Sequence, residues 1–146
     1  MKTTFTFLTG IFLTVILAGC SKDPDTHLTK EEQVAQFLSG NGNRVWRLKA
    51  IKVNDVPQQL TTAQLMYTKT YTMVAPQTTQ GKFTDYDNYY GEWTMLGATA
   101  MKEIFQQIGG GGYGKRDYTI LLINDNTLNM YYVDNNTKVE ELYNAF

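Results

Sequence analysis

Few side chains in this chain of 146 residues are equipped to act as a nucleophile, a base or a soft metal ligand. There is one cysteine, Cys20, and one histidine, His27, and both lie near the N-terminus. A Ser-His-Asp or Cys-His site needs a histidine beside the nucleophile inside a folded domain, and zinc sites draw on His and Cys. The remainder of the chain supplies neither, so no cofactor and no metal site is expected. Carboxylates remain for acid–base work of the glycosidase kind. Asp85, Asp87, Glu92, Asp117, Glu140 and Glu141 are the candidates, although acidic residues beside turns and on exposed strand faces are the usual background. Asp85-Tyr86-Asp87-Asn88 and Asp134-Asn135-Asn136 offer closely spaced oxygens. Neither follows the calcium-loop pattern with its bidentate Glu, and turn chemistry accounts for both. Gly109 to Gly112 and then Gly114-Lys115 fail as a phosphate loop, because Arg116 stands where Ser or Thr must open a helix.

Cys20 has a defined setting. Met1-Lys2 is a short positive start, and Phe5 to Leu17 is apolar apart from Thr6, Thr9, Gly10 and Thr14. That run is too short and interrupted for a spanning helix, which needs about 20 apolar residues, and it fits the core of a secretory signal. Leu17-Ala18-Gly19-Cys20 then resembles the lipobox of bacterial lipoproteins at all four positions. The resemblance implies cleavage before Cys20, with a diacylglyceryl group on its thiol and an acyl chain on its new amino group. Two or more acyl chains anchor stably, whereas one holds only marginally. Residues 1–19 are thus expected to be a signal peptide and residues 20–28 a polar, Pro-broken tether. The tether's Ser21-Lys22-Asp23-Pro24-Asp25 resembles the export signal of surface lipoproteins in the Bacteroidota. It implies an outer-membrane address, either periplasmic or on the cell surface.

Residues 29–146 carry the domain. Thr29 and Glu32 have capping-box spacing. Val34, Phe37 and Leu38 recur at helical spacing, and Gly40 stands as a stop, which predicts a short helix over 30–38. The period then changes to two. Trp46, Leu48 and Ala50 alternate with Arg47 and Lys49 until Asn54-Asp55 and Pro57. Leu60, Ala63 and Leu65 suggest a helical turn. Strand-like runs follow at Tyr67–Val74, Lys82–Tyr86 and Tyr89–Leu96, and Met101–Ile108 reads as strand with helix as the alternative. Gly109 to Gly114 reads as a loop. Tyr118–Ile123, Thr127–Val133 and Lys138–Tyr143 are then joined by Asn/Asp-rich turns as a meander. Seven or eight strands predict a small antiparallel β-barrel, since closure removes exposed edges, with a β-sandwich as the alternative. With one cysteine, no internal disulfide braces the domain, and the near-neutral charge of −1 excludes general nucleic-acid binding.

The stretches "NGNRVWRLKAIKVND", "GKF…YYGEWTML" and "YTILLINDNTLNMYYVD" together resemble the lipocalin-like lipoproteins of Bacteroidota over about residues 38–146. One difference is plain. Lipocalins stack a late basic residue on the first-strand Trp, and the last strand here offers only Lys138.

Ten tyrosines and two tryptophans are the most suggestive feature. Tyr86, Tyr89, Tyr90 and Trp93 crowd one hairpin, and Tyr113 lies in the Gly-rich stretch. Such rings fill cores, and they also stack on sugars, apolar ligands and partner proteins. The expected function is a non-enzymatic, membrane-anchored binding module for an apolar or glycan ligand. Trp46, Tyr71, Trp93, Tyr118 and Tyr132 are the candidate ligand-binding residues. The alternative is an accessory envelope lipoprotein that docks another protein.

Overall fold

A computed structural model describes residues 27–40, 42–75, 78–106 and 112–146. Residues 1–19, expected to be a signal peptide, Cys20, most of the expected tether and the core of the glycine run lie outside the described residues. The chain folds as a closed antiparallel barrel of eight strands with one extra strand and a short helix. In chain order the elements are α1 (Lys30–Ser39), β1 (Asn43–Val53), β2 (Val56–Gln58), α2 (Thr62–Met66), β3 (Thr68–Met73), β4 (Gln80–Asp85), β5 (Tyr90–Gly97), β6 (Ala100–Gln106), β7 (Tyr113–Ile123), β8 (Thr127–Asp134) and β9 (Thr137–Ala145). From β3 onward each strand pairs with the next. β1 pairs with β3, and β9 returns to β1 from Trp46↔Ala145 to Val53↔Val139. That last pairing excludes a sandwich and closes the eight strands β1 and β3 to β9 on themselves, so that among the described strands only the short β2 keeps a free edge. Register shifts at Leu48/Ala50, Met95/Gly97 and Ile120/Leu122 supply local bends of the kind a small barrel needs.

The capping box forms as expected. The Thr29 hydroxyl accepts from the Glu32 amide, and the Glu32 carboxylate accepts from the Thr29 amide. α1 lies across β1, β3, β5 and β7 at one end of the barrel, with Ala35 and Leu38 fully buried. Its last turn is fixed from the barrel side. Trp46 Nε1 donates to the Leu38 carbonyl at 2.8 Å, and Arg44 donates to the Phe37 carbonyl at 2.9 Å. Helix-end carbonyls lack partners within the helix, so β1 satisfies them. The cation against Trp46 is also Arg44, at 5.6 Å from the ring centre, and not a residue of the last strand. Lys138 instead pairs with Asp55.

Two differences from the sequence reading have clear causes. β1 ends at Val53 as expected, but Asn54 and Asp55 both take positive φ (48° and 66°) and turn the chain tightly into β2, a strand the sequence reading did not include. Pro57 is tolerated because β2 lies at the rim with no strand beyond it. Tyr113 and Gly114 belong to β7, not to a loop. Gly114 faces Phe105 across the β6–β7 ladder so closely that an added Cβ would collide with the ring, so this glycine serves strand packing.

Candidate functional site

The barrel interior is divided along its axis. Near α1 it is filled. Trp46, Trp93, Met101, Leu128, Met130 and Tyr143 are all fully buried there. Trp93 donates to the Thr72 carbonyl at 3.1 Å and stands edge-on to Tyr71, with centroids 6.4 Å apart.

Midway along the axis the lining becomes charged. Lys69 on β3 and Glu103 on β6 are 2 % and 1 % exposed. Lys69 Nζ lies 2.9 Å from both Glu103 oxygens and 3.0 Å from Tyr118 Oη, while the Tyr71 hydroxyl donates to Glu103. Burial is the largest single influence and favours a neutral amine, but its negative neighbours, Glu103 foremost with Tyr67 and Glu141, together outweigh it and hold Lys69 above the ordinary lysine range. Lys69 thus keeps its proton against Glu103, which makes it a poor nucleophile and a fixed cation. Burial likewise pushes the Tyr71, Tyr118 and Tyr143 hydroxyls well above the usual phenol range, with negative neighbours adding to it at each. Glu141 on β9 also faces inward and accepts from the Tyr143 hydroxyl at 2.8 Å. Burial raises its proton affinity, and the positive charge of Lys69 opposes that only in part.

Beyond this layer, away from α1, the interior opens into a cavity of about 340 Å³. It is lined by Tyr67, Lys69, Phe83, Asp85, Asp87, Tyr89, Glu103, Phe105 and Arg116. Lys69 and Glu103 form its floor. Its aromatic wall is tied together, because Tyr89 stands edge-on to Phe105 with centroids 5.9 Å apart. Asp85 holds the rim. One of its oxygens accepts from the amides of Asp87 and Tyr89 at 3.0 and 2.9 Å, and the other accepts from Tyr67 Oη at 2.8 Å. Arg116 completes the ring. Its guanidinium lies over Tyr132 at 4.2 Å and donates to Tyr118 Oη at 3.2 Å.

The five residues picked from the sequence all face inward, but none lines the cavity. Trp46 and Trp93 lie deep in the filled half. Tyr71 and Tyr118 hold Glu103 and Lys69 from below. Tyr132 supports Arg116 from behind and stands edge-on to Tyr118, with centroids 5.4 Å apart. The six candidate carboxylates disperse. Asp85 and Asp87 reach the mouth and Glu141 the interior. Glu92 lines an outer groove, and Asp117 and Glu140 pair outward with Lys102 and Lys52. Among the described residues no three His, Cys, Asp or Glu side chains gather as a metal site. Lys69, Glu103 and Arg116 carry the site, yet sequence reasoning passed over them. A signal for Lys69 existed, because it alternates in phase with Tyr67, Tyr71 and Met73, the face that turns inward.

No family model, curated protein or solved structure matches the chain, so the geometry of the barrel mouth carries the functional reading.

Proposed function

We propose that this chain is a membrane-anchored, non-enzymatic binding lipoprotein whose barrel mouth takes a small glycan. The observation that carries the reading is the half-filled interior, packed beside α1 and open at the other end over a charged floor. A cavity of about 340 Å³ sits at the small end of the range of about 300–1,000 Å³ common for ligand pockets. That suits one or two sugar rings. The chemistry of the walls fits as well. Tyr67, Tyr89 and Phe105 offer rings for the apolar side of a sugar, while Asp87 and Arg116 offer hydrogen bonds to its hydroxyls. An acyl chain in the same place would strip water from Asp87 and Arg116 and give nothing in return, which weighs against the apolar ligand. The ordered Lys69–Glu103 pair favours holding a ligand over reacting with it.

On this reading Cys20 carries the lipid, residues 20–28 let the domain stand off the surface, and Ser21 with the acids after it directs the chain to the outer membrane. The test has two arms. Thermal unfolding of the full chain is measured against a panel of mono- and disaccharides and a fatty-acid control. A sugar present at about 100 times its Kd should add about 2.7 kcal/mol of stability, and the fatty acid should add none. A response to fatty acid alone would sink the glycan reading. In the second arm, cell fractionation of Cys20→Ser should show the protein leaving the membrane fraction. Retention there would sink the anchor.

A second reading, protein docking, rests on a separate feature. A groove of about 480 Å³ on the outer face runs past Lys82, Tyr90, Glu92, Ile104 and Tyr113, with Tyr113 80 % exposed. Aromatic rings of this exposure suit an interface.

A further inference from the structure

The charged groups of the interior are unequally compensated. Lys69 and Glu103 neutralise one another at 2.9 Å. Asp85 has its two oxygens occupied by three donors. Glu141 is held by the Tyr143 hydroxyl. Arg116 is different. It lines the cavity, yet among the described residues no carboxylate oxygen comes within 4.0 Å of its nitrogens. Among the described residues its single hydrogen bond is to Tyr118, which leaves most of its five N–H donors without a partner there. The group is nonetheless held in place. The ring of Tyr132 lies 4.2 Å from it on one side, and Phe105 lies 5.7 Å away on the cavity wall. Burial works against its charge, while the Tyr118 oxygen, with Tyr132 and Glu141 beyond, supports it. A guanidinium that a ring holds in place while its donors stay open is suited to a planar, bidentate anion.

We propose that the ligand of the barrel mouth carries a carboxylate, seated on Arg116 where Tyr132 holds the guanidinium, and that the glycan is therefore a uronic acid or an oligosaccharide ending in one. This rests on the glycan reading above and narrows it. One guanidinium without a carboxylate partner matches one carboxylate, set apart from the Asp85 and Asp87 charges of the rim. A phosphate monoester brings more charge and would meet Asp85 and Asp87 at the rim. The uronate ring places hydroxyls toward those same carboxylates, which accept hydrogen bonds from hydroxyls and repel a second anion.

Isothermal titration of the full chain with matched pairs of free sugars tests the proposal. Glucose is compared with glucuronate and galactose with galacturonate, with glucose 6-phosphate as the competing anion. In at least one pair the uronate should bind about tenfold or more tightly than its neutral partner, the scale of one charge-assisted bidentate contact. The ratio should fall to near one in Arg116→Gln and lie between in Arg116→Lys, and near-UV dichroism reports whether each variant keeps its barrel. If Arg116→Gln fails to fold, Arg116→Lys still has to lower the ratio. Neutral sugars that bind as well as uronates would overturn this inference and leave the glycan reading standing. A uronate preference that survives loss of the guanidinium, or tighter binding of glucose 6-phosphate, would also overturn it. If none of the five compounds binds, both readings fall.

Discussion

Glu103→Gln is expected to destabilise the fold by about 3–5 kcal/mol, because it strands a lysine charge in the middle of the barrel. Both partners are almost wholly buried, and the Tyr71 hydroxyl and Lys69 converge on the same carboxylate. Replacing both members together, as Lys69→Met with Glu103→Leu, should recover much of that loss, since two apolar side chains leave no charge unpaired. Urea unfolding of the two single variants and the double variant measures this directly. A cost below about 1 kcal/mol for Glu103→Gln, in the range of exposed pairs, would mean that the pair is hydrated. Half of this pair is readable in the sequence. The alternation of Tyr67, Lys69, Tyr71 and Met73 puts the lysine inside, and an inward lysine demands a counter-charge. Its partner stands 34 positions later, and only the register of β3 to β6 through β4 and β5 brings the two together. That register depends on turn lengths and bulges, not on the local pattern.

Among the elements, α1 depends on Trp46 for its place at the barrel end. Trp46→Phe keeps most of the ring and removes the bond to the buried Leu38 carbonyl. The expected loss is about 1–3 kcal/mol for an acceptor left unpaired, together with faster hydrogen exchange at the α1 amides. Exchange that rises equally in every strand would show instead that α1 and the barrel open as one unit. Elements whose signals are local were legible. Thr29 and Glu32 announce α1. Asn135 and Asn136, with φ of 45° and 63°, make the tight β8–β9 turn that Asn pairs favour. Elements set by distant neighbours were not. β2 exists because β1 continues past Leu48 far enough to offer it an edge. β7 starts at Tyr113 because β6 pairs with it as far back as Gln106. A glycine-rich stretch looks like a loop until the ring that excludes a Cβ is known.

For the whole molecule, alternation along strands predicts which side chains face inward but not how deep they lie, and depth decides whether an inward tyrosine is core or ligand surface. Trp46 and Tyr67 both face in, but one ends beneath α1 and the other at the mouth. The depth of the aromatic set has a consequence for the response of the barrel to alkali. Burial, reinforced by negative neighbours such as Glu103 and Glu141, raises Tyr71, Tyr118 and Tyr143 well above 10.0, the value expected in the unfolded chain. Above that pH the unfolded chain releases protons that the barrel retains, so the native state binds more protons and its stability must fall as pH rises. Lys69, raised above 10.5 mainly by Glu103 against its own burial, acts with the same sign: its contribution is full below that value and is lost above it. Each buried tyrosine removes about 1.4 kcal/mol per pH unit, so three of them remove about 4. Against a typical total of about 5–15 kcal/mol, the barrel should unfold in one step within a few pH units above 10. Ultraviolet absorbance of tyrosinate should then rise for these residues together with the loss of near-UV dichroism. If they ionise while the dichroism persists, water reaches the filled half, and the division of the interior into a packed floor and an open mouth fails. A uronate seated on Arg116 stabilises only the folded state, so by mass action it should move that alkaline step upward, and a neutral sugar of lower affinity should move it less at equal concentration.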